Sequence, residues 1–90
     1  MKIEPIKILK EDERGIIYKA EPVNYIVRRK GTISADHTHE EAETLYLVEG
    51  KVEITIDEET KTVEAPVKVF VPSCIYHKLL ALTDIKLIRA

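Results

Sequence analysis

The sequence has little or none of what marks several large classes of protein. Cys74 is the only cysteine among 90 residues, so no disulfide can form within the chain. No stretch approaches the roughly 18 consecutive apolar residues of a membrane-spanning helix. The opening "MKIEPIKILK" interrupts its apolar residues with charges, unlike a secretory signal peptide. We therefore expect a cytoplasmic protein with no membrane partner.

The chain also has no excess of basic residues. Lys and Arg number 14 against 16 Asp and Glu, which gives a formal net charge of −2. Nucleic-acid phosphates attract a concentrated basic face, and the one candidate is the basic run at residues 28–30. We interpret this run as a solvated strand edge that discourages pairing with other sheets. We expect no nucleic-acid partner.

Amide side chains are scarce. Asn24 is the only asparagine, there is no glutamine, and charged residues make up 33% of the chain against a usual value of about 25%. This composition is typical of proteins from thermophiles, so we predict a thermophilic source. Compositional fluctuation in a short chain is the alternative.

The apolar residues alternate with polar ones or form short β-branched runs, and none has the period of a long amphipathic helix. Val52, Ile54 and Ile56, for example, share one face of a predicted strand whose other face is polar. The pattern predicts an all-β antiparallel sandwich or barrel of nine or ten short strands, forming a single domain over residues 1–90. Strands are predicted at 6–10, 16–20, 23–30, 44–49, 51–57, 60–65, 67–71, 75–82 and 84–89.

The stretch "HTHEEAE" concentrates histidine and carboxylate side chains. On an extended strand His37 and His39 point to the same side, and Glu43 has the parity of Leu45 and Leu47, which predicts that it points inward. An inward carboxylate is costly unless a cation or strong hydrogen-bond donors meet it. The group therefore favours a metal site at His37, His39 and Glu43.

The third histidine, His77, lies in "CIYHKLL" and shares a predicted inward face with Ile75 and Leu79. A single histidine in an apolar core is more often a hydrogen-bonded structural residue than a metal ligand. Taken alone, His77 is interpreted in that way.

The spacing around the first two histidines resembles the first motif of the cupin superfamily. Gly31, five residues, His37-Thr38-His39, three residues, Glu43, six residues and Gly50 reproduce that motif position by position.

The later stretch "PVKVFVPSCIYHKLLA" resembles the second cupin motif, with Pro72 and His77 at the expected separation. It departs from the motif at Pro66 and Cys74, where the family usually has glycine, and at Ala81, where it often has asparagine. These departures concern turn geometry rather than metal ligands.

The resemblance implies a double-stranded β-helix, or jelly-roll barrel, with a divalent metal bound by His37, His39, Glu43 and His77. This set of ligands suits Mn, Fe, Co, Ni, Cu or Zn and does not select among them. The alternation predicts a narrow and dry pocket with the metal as its main polar group. Its predicted apolar wall is Ile33, Ala35, Leu45, Leu47, Val69, Val71, Ile75 and Leu79.

Three functions remain open at this stage. The first is a metal-dependent enzyme, such as an oxygenase or isomerase, that acts on a small molecule, with metal-centred oxidation slightly favoured. Alternatively it is a non-catalytic module that binds or senses a small molecule or a metal, or the metal simply stabilises the barrel. Fold does not select among these, and no catalytic residue is predicted.

Three aromatic residues, Tyr46, Phe70 and Tyr76, are predicted on the outer face. Exposed aromatics on a small β domain indicate a contact between subunits, so we predict a homodimer, with packing beneath a loop as the alternative. Cys74 has the opposite parity to His77 and is predicted to point away from the site as an inert thiol.

Overall fold

The computed structural model describes residues 1–38 and 40–90, together with the side chains of these residues other than Asp36. Every regular element in this part of the chain is a β-strand, which confirms the all-β prediction. Accordingly, no helix capable of crossing a membrane is found among the described residues. The strands are β1 Ile8–Asp12, β2 Gly15–Ala20, β3 Val23–Arg28, β4 Ile33–His37, β5 Glu43–Glu49, β6 Lys51–Ile56, β7 Glu59–Glu64, β8 Val67–Val71, β9 His77–Ala81 and β10 Ile85–Arg89.

The strands form two antiparallel sheets that face each other. One has six strands in the order β1-β2-β3-β10-β5-β8, and the other has four in the order β4-β9-β6-β7. Strands that are neighbours in a sheet are often distant in sequence, as where β10 lies between β3 and β5. This arrangement confirms the jelly-roll prediction.

The core lies between the sheets and follows from alternation along the strands. On β6, Val52 and Ile54 are only 2% and 6% exposed, whereas Lys51 at the start of the strand is exposed, as the sequence pattern predicts. Every other residue of β5, β9 and β10 enters the same core. The buried apolar residues are Ile26, Leu45, Leu47, Val52, Ile54, Val71, Leu79, Ala81, Ile85 and Leu87.

Strand ends differ from the prediction where local hydrogen bonds decide them. β1 runs to Asp12, because the backbone N–H of Arg14 donates to Oδ1 of Asp12 at 2.9 Å and closes a tight turn there. β3 ends at Arg28 rather than at residue 30, and β9 begins at His77 rather than at residue 75.

Gly50 shows why a glycine is needed at the end of the first motif. Its φ of 100° is a conformation that L side chains rarely adopt. A Cβ atom at this position would also clash with the backbone carbonyl oxygen of Asp84. The β5–β6 connection therefore packs against the loop before β10 only because residue 50 has no side chain.

Candidate metal and ligand site

The centre of the candidate site is a contact between the two sheets. Glu43 begins β5 in the six-stranded sheet, and His77 begins β9 in the four-stranded sheet. Oε1 of Glu43 lies 3.3 Å from Nε2 of His77, and their side chains are 13% and 1% exposed. Glu43 points inward because it has the parity of the buried Leu45, as predicted. The two facing sheets thus bring together a carboxylate and an imidazole.

The second ring nitrogen of His77 is also held. Nδ1 lies 3.3 Å from the backbone carbonyl oxygen of Ile75, an atom that can only accept a hydrogen bond. If Nδ1 carries the proton, Nε2 presents a lone pair to the carboxylate oxygen of Glu43. Two lone pairs at this separation repel each other unless a proton or a metal ion lies between them. This environment suits a metal-ligating histidine, whose other nitrogen commonly donates to a carbonyl.

His37 is placed beside this pair by an irregularity in β4. Ser34 pairs with Leu79 and His37 pairs with His77. Between these two pairs β4 advances by three positions and β9 by only two, so β4 has one extra residue. The extra residue forms a β-bulge at Ala35, whose φ is 55°. The ring centroids of His37 and His77 are 4.9 Å apart, and the ring planes are inclined by 82°. His37 remains exposed.

The bulge interrupts the strict alternation of inward and outward side chains that the sequence predicts for β4. Strict alternation has Ile33, Ala35 and His37 on the same face of the strand, but the structure pairs Ser34, not Ile33, with the buried Leu79. Ile33 is 48% exposed although it reaches the cavity edge. A bulge is a property of strand pairing and leaves no period-two signal in the sequence.

Of the four predicted ligands, the structure brings Glu43 and His77 together and places His37 next to them. His39 lies outside the described residues. Within residues 1–38 and 40–90, leaving aside the side chain of Asp36, no three His, Cys, Asp or Glu side chains are grouped closely enough to hold a metal ion. The described residues therefore supply a donor pair of suitable chemistry with a third imidazole adjacent.

A cavity of about 380 Å³ opens beside this pair, between the sheets. Its floor is apolar, as predicted, and includes the predicted wall residues Leu45 and Leu79. Leu47 and Val69 instead border a much smaller interior void of about 10 Å³. The prediction of an apolar pocket is wrong at the walls, where the six-stranded sheet contributes charged side chains and the four-stranded sheet contributes Ser34 and His37. The polar lining residues are Lys10, Arg14, Arg28, Ser34, His37, Glu43 and Arg89.

Arg28 is the functional candidate that sequence reasoning missed. It is only 7% exposed, and its Nε atom is buried without a hydrogen-bond partner among the described residues. Burial, and then the nearby positive charge of Arg14, lower the pKa of the Arg28 guanidinium from its ordinary value. The interpretation of residues 28–30 as a solvated edge is thus wrong for Arg28. The available signal was its parity with Ile26, which is buried on the same strand.

Arg14, a second arginine of the cavity wall, already has a carboxylate partner. Nη2 of Arg14 lies 2.8 Å from Oδ2 of Asp12, and Nε of Arg14 also donates to Asp12. These hydrogen bonds lower the pKa of Asp12 from 3.8 to about 2 and raise the pKa of Arg14. Asp12 is therefore engaged by Arg14 and makes no direct ion pair with Arg28.

The predicted outer residues are where the alternation places them. Tyr46, Phe70 and Tyr76 are 41%, 61% and 39% exposed, and Cys74 is an exposed free thiol. Cys74 has a φ of 61°, the left-handed conformation that suits the glycine usually found there in the resembled motif.

Comparison with solved structures places this architecture among known proteins. An RmlC-like cupin from Shewanella frigidimarina superposes with a TM-score of 0.79 at 22% identity, over 93% of this chain and 80% of that chain. CapF, solved with the inhibitor 3-isopropenyl-tropolone, gives a TM-score of 0.79 at 22% identity, over 94% of this chain and 29% of that chain. A salicylate 1,2-dioxygenase from Pseudaminobacter salicylatoxidans gives a TM-score of 0.70 at 23% identity, over 81% of this chain and 20% of that chain.

Identities at this level establish a shared fold, and the chain spans less than a third of the last two proteins. No functionally curated protein matches the sequence. The family model described as "Cupin domain" matches residues 25–88, which is more than half of the chain and includes both histidine-bearing stretches. The chain therefore belongs to the cupin domain family.

Proposed function

We propose that this chain is a small metal-binding cupin in which His37, His39, Glu43 and His77 hold a divalent transition metal, namely Mn, Fe, Co, Ni, Cu or Zn. The observation that carries the proposal is the 3.3 Å approach of Nε2 of His77 to Oε1 of Glu43, made in the buried space between the sheets. A carboxylate oxygen and an imidazole nitrogen this close together, and largely buried, call for a proton or a metal ion between them. His37 adjoins the pair on the paired strand and supplies a further nitrogen donor.

We further propose that the bound metal serves a reaction on a small molecule. A divalent metal in such a site acts as a Lewis acid or a redox centre, which suits an oxygenase or an isomerase. The chain's own residues have simpler roles. The carbonyl oxygen of Ile75 orients the ring of His77, and the 380 Å³ cavity admits a small molecule beside Glu43 and His37. One salicylate 1,2-dioxygenase that shares the fold is solved in complex with gentisate, which supports a small-molecule ligand here.

The second candidate is a non-catalytic module that senses or binds a small molecule or a metal and is stabilised by that metal. The connection between Glu43 in one sheet and His77 in the other favours it, because a metal shared by these residues would tie the two sheets together. Metal that binds the folded state alone adds to the free energy of unfolding.

Metal analysis of a matched pair of variants tests the site. In Glu43→Gln the carboxylate is replaced by a neutral amide of the same size, so we expect metal content per chain to fall at least about tenfold, since loss of a charged ligand weakens metal binding strongly. Glu49→Gln, at the exposed end of the same strand, should retain the wild-type metal content. Circular dichroism verifies that both variants fold. Equal metal content in a folded Glu43→Gln and the wild type would contradict the proposal.

Chelation separates the two functions. The catalytic function predicts oxygen-dependent or substrate-dependent turnover that disappears on metal removal and returns on reconstitution. The alternative predicts a large fall in Tm on metal removal and no turnover with any metal.

The remaining proposals concern the cellular location of the protein, its thermophilic source and its oligomeric state. The single cysteine supports a cytoplasmic location, and the low amide content supports a thermophilic source. The exposed Tyr46 and Phe70, which lie on the neighbouring strands β5 and β8, support a homodimer formed through the outer face of the six-stranded sheet.

A further inference from the structure

We infer that the cavity binds a small organic carboxylate, with Arg28 as the residue that holds the carboxylate group and the apolar floor as the surface that holds the rest of the molecule. This inference names the ligand class of the proposed site. It rests on the proposed function for any reaction at the metal, whereas the binding by Arg28 needs no metal.

Arg28 occupies a buried position beside the cavity. Arg28 as a whole residue is 7% exposed, and burying an arginine to this extent is unfavourable unless an anion or several acceptors compensate its charge. The buried Nε has no hydrogen-bond partner among the described residues, and Asp12, whose charge raises the pKa of Arg28, is hydrogen-bonded to Arg14. The side chain lines the cavity. An anion in the cavity would supply the missing partner, because the flat guanidinium binds a carboxylate through two parallel hydrogen bonds.

The cavity wall has more cationic than anionic side chains among its described residues. Lys10, Arg14, Arg28 and Arg89 line the cavity, and Glu43 is the one carboxylate among its described lining residues. Arg14 is paired with Asp12, so Lys10, Arg28 and Arg89 are the remaining cations, and this excess is local because the chain as a whole carries a formal net charge of −2. A cleft lined by one sign of charge between low-dielectric walls concentrates ions of the opposite sign. The cavity therefore selects anions.

An apolar surface lies beside these cations. On β3 and β10 the pairing places Ile26 opposite Leu87, and both line the cavity together with Leu45 and Leu79. Arg28 follows Ile26 by two residues and faces the same way. A ligand held at Arg28 thus has its remaining atoms against apolar side chains. Inorganic phosphate would satisfy the charge but leave this surface uncovered, so an organic carboxylate fits better.

Titration with simple probes tests the ligand class on the protein as purified and again after metal removal and removal of the chelator. Benzoate and hexanoate are the carboxylate probes, benzyl alcohol and hexanol are their neutral counterparts, and inorganic phosphate is the anion without an apolar part. Binding is measured by NMR titration and by the rise in Tm. We expect both carboxylates to bind at least roughly tenfold more tightly than the alcohols and than phosphate, since a hydrogen-bonded charge and an apolar contact both contribute.

A pair of variants assigns the binding to Arg28. Arg28→Met keeps a side chain of similar length without the charge, and carboxylate affinity should fall by roughly tenfold to a hundredfold. Arg29→Met makes the same change of charge one residue away at an exposed position outside the cavity lining, and it should leave the affinity within about twofold of the wild type. Arg28→Lys keeps the charge but loses the paired hydrogen bonds, so an intermediate affinity is expected.

Each outcome decides the inference. Loss of carboxylate binding in a folded Arg28→Met, with binding retained in Arg29→Met, supports it. Equal binding by Arg28→Met and wild type, equal binding of the alcohols, or binding of phosphate alone would overturn it. The two proposals can also fail separately. If carboxylates still bind to metal-depleted protein, and Glu43→Gln does not change the metal content, the carboxylate inference stands and the metal site is refuted.

Discussion

His77 and Arg28 are the two buried polar or charged residues among the side chains that the structure describes, at 0% and 7% exposed. His77 contacts Glu43 near one end of the space between the sheets, and Arg28, which pairs with Ile85, lines the same cavity towards the other end. Burying such groups opposes folding unless each has a partner of opposite charge or a hydrogen bond. Arg28 and Glu43, the partner of His77, both line one cavity, which is the residue-level reason to assign binding to that cavity.

Sequence reasoning identified one of these residues and missed the other for a definite reason. The resemblance to the second cupin motif selects His77, which its apolar stretch alone does not, and the parity with Leu45 selects Glu43. Arg28 has the parity of Ile26, but it is followed by Arg29 and Lys30, and a basic run is usually solvated. Arg28 is buried because β3 pairs with β10 in the interior of the six-stranded sheet rather than lying at its edge.

The ion pair of Asp12 and Arg14 predicts an acid-dependent contribution to stability. The folded pKa of Asp12 is about 2, below the value of 3.8 for the free side chain, so the ionised form stabilises the fold above pH 3.8. This contribution is lost as pH falls from 3.8 towards 2. We expect Asp12→Asn to show a smaller loss of Tm than the wild type across this interval.

Urea or thermal unfolding at a series of pH values measures the effect. Glu11→Gln, an exposed neighbour on the same strand, is the matched control and should follow the wild-type pH dependence. Parallel curves for Asp12→Asn and the wild type would show that the ion pair contributes nothing measurable, as many surface ion pairs do.

At the scale of single elements, β4 and the loop before β9 carry the departures from regular geometry. The bulge at Ala35 brings His37 opposite His77, where strict pairing from Ser34 would leave it one residue out of step. A bulge commonly redirects a side chain at a functional site. The loop before β9 contains the other irregular residue, Cys74, with a φ of 61°.

Substitution at Cys74 tests the cost of this conformation. A non-glycine residue with left-handed φ and ψ is strained by about 1 kcal/mol, so Cys74→Gly should raise the free energy of unfolding by roughly 0.5–1 kcal/mol. A gain of this size raises the Tm of a domain of this length by a few degrees.

Ser73→Gly is the matched control in the same loop. Ser73 is exposed and has no positive φ, so glycine there adds only freedom to the unfolded chain and should lower stability slightly. Thermal unfolding with reducing agent present compares the two variants. A Cys74→Gly protein less stable than the wild type would show that the side chain contributes more than the backbone strain costs.

At the scale of the whole molecule, the outer face of the six-stranded sheet is a candidate for subunit contact. Tyr46, Val48 and Phe70 are 41%, 52% and 61% exposed on β5 and β8, which are paired neighbours. Exposed apolar side chains that form one surface are typical of association sites. The homodimer stays a prediction.

Light scattering after size exclusion tests it. The wild type should elute with twice the mass of the chain, and Phe70→Lys should shift it to the monomer, because a charge at the centre of an apolar contact is desolvated without a partner. Thr62→Lys adds the same charge to an exposed site on β7 in the other sheet and should leave the dimer intact. A monomeric wild type at high concentration would refute the prediction.

The sequence by itself determined which side chains enter the interior wherever a strand is regular. Alternation is a local property of extended backbone, and it correctly sends Glu43, Leu45 and His77 inward and Tyr46 outward. The spacing of glycine, histidine and glutamate also indicated the family that residues 25–88 match. Both results need only short-range information.

Only the tertiary structure decided which of these inward side chains meet. The contact of Glu43 with His77 joins two sheets, and the burial of Arg28 depends on strand order, so neither follows from the local period. The bulge that brings His37 beside His77 is likewise a property of two paired strands. Strand pairing and sheet packing are long-range interactions, and they placed the cationic cavity next to the candidate metal ligands.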